Sequence, residues 1–528
     1  MPAVLCPRQN EPHRDSGRHR VPGARVVAPF PCSRHPRARC VMVAEHILVI
    51  DVGTSSVRVA MVSPTGDITA SIQTPTPPIT PMPGLVECDA DALGATVVDT
   101  ATTLIDTHGA PAAVAITAQR ATTVMWNTRT GRALAPALGW QDLRTIGECL
   151  SANAEHDAGV APNQTATKAQ WLLATVDHDP AHTRIGTIDA WLGACLGVEI
   201  PSTDPTHAAI TGLTDVSATR WDPQRCHIFG IDPALLPPIV DTIGHRGAAT
   251  ALPGQPPIVA SVGDQQASMA GQGCVSPGRV KITFGTGGMA NVVTGEHGPE
   301  HMRRSAGGTF PIVTTSMAGS SMWGAEAVML SAGSCVDWLR DDLGVIDTAA
   351  DSDAIAAQCS SSDGVIFVPA LMGLGTPRWD FGARGTLLGL TRGSERCHVV
   401  RAVLEGVAHR GADLVDALTA DTGVAINEVR VDGGMSQNRT FITALARATG
   451  RPVLVSAHVE ATALGAARLG QVALGQFDTV TELAEVASVA ACVEPDCDAA
   501  TTAGERERWR VAMDRSGEWI PELSALDF

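Results

Sequence analysis

Tyrosine is absent from this 528-residue chain, and lysine occurs only twice, at Lys168 and Lys281. Neither lysine follows a glycine, so there is no G-x-x-x-x-G-K-[ST] loop and a P-loop ATPase is excluded. At this length each domain can bury its own core, which excludes a zinc-dependent or disulfide-stapled miniprotein, and the thirteen cysteines form no C-x-x-C pair and no regular framework. They read as reduced, mostly buried thiols of a cytoplasmic protein. No stretch approaches the roughly 18 uninterrupted apolar residues of a bilayer span, and Glu45 and His46 interrupt the first apolar segment. No membrane partner is expected. With 44% hydrophobic and only 18% charged residues, global disorder is excluded as well.

The length implies at least two domains, each able to bury a core. Net charge is −17, unevenly spread: residues 1–41 carry eight Arg against Glu11 and Asp15, a balance of +6, so the remainder carries −23. A surface that acidic disfavours nucleic acid. Residues 1–41 hold seven Pro and neither an amphipathic period nor an apolar core, so they read as a disordered basic leader or a start assigned too early, with Met42 the true beginning. Scarce lysine and tyrosine beside abundant Ala and Arg read as GC-biased coding.

From residue 47, short apolar runs alternate with turns: Ile47–Ile50, Val57–Val62 and, after Ser63-Pro64-Thr65-Gly66-Asp67, Ile68–Ile72. This predicts an antiparallel meander. A helix is expected over Asp89–Asp106, then strands at Val114–Thr117 and Thr123–Trp126. Past the Gly/Pro-rich Gly263–Pro277 the cycle repeats, with strands at Val280–Phe284 and Ala290–Val293 about a Gly turn. Helices are expected at 324–343, 395–420, 437–448 and 461–475. Two similar α/β halves with a cleft between them follow, divided near 272: 42–272, 273–485 and a C-terminal helical extension over 486–528.

Three turns carry the chemistry. In Asp51-Val52-Gly53-Thr54-Ser55-Ser56 the glycine permits a tight turn, and backbone N–H groups with three hydroxyls can face phosphate oxygens. Asp51, at the strand end, could hold Mg²⁺ through water. Phe284-Gly285-Thr286-Gly287-Gly288 repeats that chemistry in the second half. It also matches G-x-G-x-x-A, but Asn291-Val292-Val293 reads as strand where a dinucleotide site needs a helix, so a nicotinamide site is rejected. Val431-Asp432-Gly433-Gly434-Met435-Ser436-Gln437-Asn438 ends a strand and opens a helix, whose bare N–H groups favour an anion or a nucleoside edge. His13-Arg14-Asp15 mimics a protein-kinase triplet but lacks the following Asn.

The stretch Gly385-x-Leu387-x-Gly389-Leu390, followed after seven residues by His398-Val399-x-x-Ala402-Val403-Leu404-Glu405, resembles the second signature of the FGGY carbohydrate kinases. Gly84-Leu85-Val86-Glu87, Gln119-Arg120, Trp140–Arg144, Gly263-Asp264-Gln265-Gln266 and the three turns occur in that family's order, over about residues 46–480. The resemblance implies two ribonuclease-H-like domains of the actin and hexokinase type, closing over ATP, Mg²⁺ and a small polyol or sugar. It implies that Asp264 takes the proton of the attacking hydroxyl and shares the metal region with Asp51. Gln119, Arg120, Trp140, Asn163, Gln265 and Met289 would join Asp264 around the substrate. Gly53, Thr54, Ser55, Ser56, Arg58, Gly285, Thr286, Gly333, Gly434 and Asn438 would hold ATP. A homodimer or homotetramer is left open.

Within the family, Gln119-Arg120, Gly263–Gln266 and Gly373–Asp380 resemble the glycerol kinases. Ala121, Asn163 and Met289 depart from them, standing where the resemblance implies Glu, Tyr and Phe. In the first signature Thr165, Lys168 and Trp171 fit while Ala169 and Ala174 do not. Losing a polar partner of a substrate hydroxyl costs on the order of 1–3 kcal/mol. The expected acceptor is therefore glycerol, a tetritol or a pentulose. Trp140-Gln141-Asp142-Leu143-Arg144 suits a xylulokinase-type enzyme equally well. The alternative of another class is a non-catalytic ATP-binding regulator on the same fold, against which Asp51, Thr54, Asp264 and Thr286 all argue.

Overall fold

The computed structural model describes residues 46–526. The basic leader and Met42 lie outside the described residues. Two sheets dominate. The first contains β1 (Ile47–Val52), β2 (Ser56–Val62), β3 (Ile68–Pro75), β4 (Ala113–Ala118) and β5 (Ile258–Gly263), in spatial order β5-β4-β1-β2-β3. β1, β2 and β3 form the expected antiparallel meander, while β4 and β5 run parallel to β1. Helix α1 (Ala90–His108), N-capped by Asp89, covers one face with Leu93, Val97, Ala101 and Leu104.

The second sheet contains β6 (Arg279–Phe284), β7 (Gly288–Gly295), β8 (Phe310–Met317), β9 (Ser320–Met329), β10 (Glu428–Asp432), β11 (Val453–Ser456) and β12 (Val489–Val493). Its order is β8-β9-β7-β6-β10-β11-β12. Here β6, β7 and β9 are antiparallel neighbours, and β10 and β11 run parallel to β6. The pattern of the first sheet, three antiparallel strands beside two parallel ones, thus recurs, as the repeat in the sequence predicts.

Two expectations need correction. Residues 324–343 were expected to be helical, yet Ser320–Met329 is a strand, and helix begins only at Gly333. The run Gly324-Ala325-Glu326-Ala327-Val328 suits a helix by local preference, but it pairs with β7 on one side and β8 on the other. Buried on both faces, it shows no period-2 alternation. The extension over 486–528 also begins with a strand: β12 pairs antiparallel with β11 before the last long helix.

Between the sheets lies α2 (Asp264–Gly271), which follows β5 directly. Helices α3 (Arg396–Thr422) and α4 (Arg439–Thr449) pack on the second sheet. Phe284 and Phe441 meet edge to face at 4.8 Å there, a pairing worth about 0.5–1.5 kcal/mol beyond its area. Helix α5 (Ala461–Ala473) comes late in the chain but packs on the first sheet, its Ala463, Ala466, Ala467 and Leu469 against Ile47, Val49, Ala115 and Ala260. Gly465 of α5 and Gly271 of α2 let these helices touch backbone to backbone; a Cβ on either would collide with a carbonyl of the other helix, Ala267 or Ala461.

Helix α6 (Ala499–Ser516) lies against α3, where His409 stacks on Trp509 with ring centroids 5.1 Å apart. Burial, reinforced by Arg506, pushes the His409 imidazole down to about 4. Its folded value lies below the unfolded one, so its contribution to stability is present above about pH 6.5 and lost as pH falls toward 4. The melting temperature should therefore drop over this window by a few degrees more in the parent than in His409→Phe. Equal slopes in a thermal-melt series would refute this.

Candidate active site

The fully buried run Ile258–Gly263 ends where α2 begins, which puts Asp264 at a strand end. Gly263 is required by crowding: a Cβ there would lie 2.7 Å from Gln266 Oε1 and 2.8 Å from Arg120 Cδ. Asp264 Oδ1 accepts from the Gln265 N–H at 2.8 Å and stands 3.6 Å from Arg120 Nε. Arg120 is itself buried, with Nη2 donating to Glu326 Oε2 at 2.6 Å and 3.8 Å from Met289 Sδ. Its Nη1 is buried without a hydrogen-bond partner. The structure thus brings Arg120, Asp264, Gln265 and Met289 together.

Three residues at this centre were missed in the sequence. Glu326 Oε2 also accepts from Asn291 Nδ2 at 2.8 Å, and Lys281 Nζ donates to Gln265 Oε1 at 2.6 Å and to Asn291 Oδ1 at 3.4 Å. Burial holds the Lys281 pKa below the usual lysine range, against the pull of Asp432, Asp264 and Glu326. A signal existed: Lys281 is one of two lysines, on the strand that leads into the second turn, and Glu326 is a single carboxylate in an apolar run.

At the first turn, Gly53 N–H donates to Ser56 O at 3.0 Å and Gln119 N–H to Val52 O at 2.8 Å, seating Gln119 against it. Trp140 Nε1 donates to Thr54 Oγ1 at 3.1 Å. Lys168 Nζ joins the two sides of this region, donating to Gly139 O at 2.7 Å and Asn163 O at 3.2 Å. Burial pushes the Lys168 pKa down to about 7. Asn163 itself is exposed, as is Ser55. Two other expected phosphate ligands have partners of their own. Ser56 lies in β2 with its hydroxyl accepting from Gln73 Nε2 at 2.9 Å, and Arg58 pairs with Glu460 and donates to Gln73 Oε1.

The second turn rests on a backbone cradle: Gly333 N–H donates to Gly285 O and Ala332 N–H to Thr286 O, each at 2.8 Å. Gly285 and Thr286 are exposed. Gly433, at φ +87, lies against the Phe284 carbonyl too closely for any Cβ, so the third turn stacks on the second. Gly434 faces open space. Asn438 caps α4 by accepting from Phe441 N–H at 2.9 Å, while its Nδ2 donates to Ser352 Oγ at 3.0 Å. The second and third turns therefore lie against one another at the end of β6.

Asp51 completes the centre. Burial raises its pKa to about 7, opposed by Arg58 and reinforced by repulsion from Asp264. At the end of β10, Asp432 Oδ1 is buried without a partner while Oδ2 accepts from Ser268 Oγ at 2.7 Å. The mutually repelling carboxylates of Asp51 and Asp264 are hard oxygen donors, which fits a divalent cation such as Mg²⁺. Asp51 and Asp264 are the residues that would hold it.

The pattern described as "FGGY family of carbohydrate kinases, N-terminal domain" matches residues 46–271, and its C-terminal counterpart matches residues 280–474. A glycerol kinase of Aromatoleum aromaticum is 37% identical over 503 residues, covering 90% of this chain and 99% of its own length. A glycerol kinase of Rhodopirellula baltica is 33% identical and covers 98% of this chain and 99% of its own. Among solved structures, the Plasmodium falciparum glycerol kinase with ADP superposes with a TM-score of 0.83 at 28% identity, over 90% of this chain and 98% of that one. A xylulose kinase of Lactobacillus acidophilus, at 20% identity and a TM-score of 0.80, shares the fold over 89% of this chain and 97% of its own. Among the described residues no helix is long and apolar enough to cross a membrane.

Proposed function

The chain belongs to the FGGY family of carbohydrate kinases, and from that premise we propose that it transfers the γ-phosphoryl group of ATP to a terminal hydroxyl of a small polyol or ketose, with Asp264 as the general base. The observation that carries this reading is Arg120 Nη1, a buried donor with no partner beside the Asp264 carboxylate. A buried unpaired donor costs roughly 1–3 kcal/mol, which an acceptor hydroxyl bound there would relieve.

Phosphoryl transfer needs positioning and charge neutralisation more than covalent help. Glu326 holds one arm of the Arg120 guanidinium, leaving the other to orient the acceptor. Lys281 fixes the amide of Gln265, and with it the residue next to the base. Asp264 accepts the proton as the hydroxyl attacks. The turns at Gly53–Ser55 and Gly285–Thr286 offer backbone N–H groups and hydroxyls to the β- and γ-phosphates, with Gly434 and Asn438 flanking the nucleoside. Mg²⁺, when bound, neutralises phosphate charge. Residues 42–272 supply the base and the acceptor site, and 273–485 supply the nucleotide side. Closure of the two excludes water, which would otherwise take the phosphoryl group.

The three departures at Ala121, Asn163 and Met289 leave a roomier acceptor pocket than Glu, Tyr and Phe would. Ala121 is buried and sits at φ +62, beside the paired Arg120. ADP release measured with glycerol, erythritol, xylulose and ribulose tests the reading; no release with any acceptor would favour the non-catalytic regulator. Ala121→Glu should shift kcat/KM toward glycerol by about tenfold for each 1.4 kcal/mol gained through charge-assisted hydrogen bonds. If glycerol turnover falls as much as pentulose turnover, the assignment of this position is wrong.

A further inference from the structure

Behind the Asp264 strand end lies a fully buried charged cluster that the proposed chemistry does not use. Asp189, early in the helix Ile188–Cys195, and Asp204 both face His207, and all three are at most 2% exposed. His207 Nδ1 stands 2.9 Å from Asp204 Oδ1 and 3.6 Å from Asp189 Oδ2. Carboxylates only accept, so Nδ1 carries the proton. Burial alone would lower the His207 pKa, but Asp189 and Asp204 outweigh it and hold the ring above its usual range. Burial would likewise raise Asp204, but its hydrogen bond from His207 and nearby positive charge hold it below the usual carboxylate range.

This cluster reaches the active site through one hydroxyl. Thr206 Oγ1 donates to Asp204 Oδ1 at 2.8 Å, which spends its single proton and turns a lone pair toward the Gly263 N–H, accepted at 2.8 Å. Gly263 is the residue before Asp264, wedged against Arg120 and Gln266. On its other side, Asp204 Oδ2 accepts from Thr242 Oγ1 at 2.6 Å. The Thr242 N–H donates to Ser316 Oγ at 2.9 Å, and Ser316 lies in β8 of the second sheet. One network therefore binds the Asp264 strand end to both halves of the chain.

We propose that His207 is a positioning residue for phosphoryl transfer: with Nδ1 bonded to Asp204 and facing Asp189, it fixes Asp204 and, through the Thr206 hydroxyl, the Gly263 amide that sets the direction of the Asp264 carboxylate. The inference rests on the reading of Asp264 as the base. A misplacement of about 1 Å at a reacting group can cost on the order of 100-fold in rate, whereas the nucleotide turns make none of these contacts.

The test is steady-state kinetics on Thr206→Val, Thr206→Ser and His207→Gln, with Thr206→Val also made in an Asp264→Asn background. Thr206→Val and His207→Gln should lower kcat by about tenfold or more with KM for ATP within about twofold, and Thr206→Ser, which keeps the hydroxyl, should recover most of the rate. Added to Asp264→Asn, Thr206→Val should cost less than about twofold, because both act through one carboxylate. Should His207→Gln fail to fold, the Thr206 pair decides. Parental kcat in Thr206→Val while Asp264→Asn stays crippled would overturn this proposal alone, as would a full additional loss in the double variant. Parental turnover in Asp264→Asn would remove the base, and this proposal with it.

Discussion

Asp264→Asn should lower kcat by about 100-fold or more while leaving the fold and ATP affinity near those of the parent, the weight expected of a positioned general base. The change keeps shape and removes one negative charge. Asparagine can still accept the Gln265 N–H that Asp264 Oδ1 accepts at 2.8 Å, so α2 should start as before. The base cannot be replaced in this way. Repulsion from Asp264 contributes to raising Asp51 to about 7, so the substitution should also let the Asp51 pKa fall. Stopped ADP-release assays beside calorimetric ATP titration separate the two effects. Turnover equal to the parent would dismiss Asp264 as the base, and a parallel collapse of ATP binding would place it in the nucleotide site.

The second large effect should come from a position that itself carries no reacting atom. Gly465→Val puts a branched side chain where even a Cβ would run into the Ala267 carbonyl of α2. Nothing flexible can give way there, since the obstruction is helix backbone. Overpacking typically costs 1–3 kcal/mol and sometimes more, so a loss on the order of 3 kcal/mol is expected in chemical denaturation. Activity should fall with it, because α2 carries Asp264 and Gln265 at its first turn. Gly504→Ala is the matched control: it lies inside α6 with nothing within 4 Å of the added carbon, and should gain about 0.4–1 kcal/mol. A tolerated valine at 465 would mean that α5 does not dock on α2 through this contact.

Much of this architecture is local in origin and so was legible in the chain. The meander β1–β3 follows from apolar runs broken by turn residues, and the repeat of that meander with a second Gly turn predicts two related halves. Asp51, Asp264 and Thr286 sit at strand ends because a strand that runs into a tight turn exposes its last residues, and that depends on only a few neighbours. What remained hidden depends on partners distant in sequence. Arg120 meets Glu326 across 206 residues, and Glu326 lies in a strand that its own residues would have made a helix. Pairing with β7 and β8 overrode that local preference, because a segment buried on both faces must satisfy its backbone between strands. Helix α5 was visible as a helix, but only packing decided that it covers the first sheet. Asp204 lies only three residues before His207 and caps its short helix, but Asp189 comes from the separate helix Ile188–Cys195, and only the folded interior, where charges must be paired, brings it to the ring.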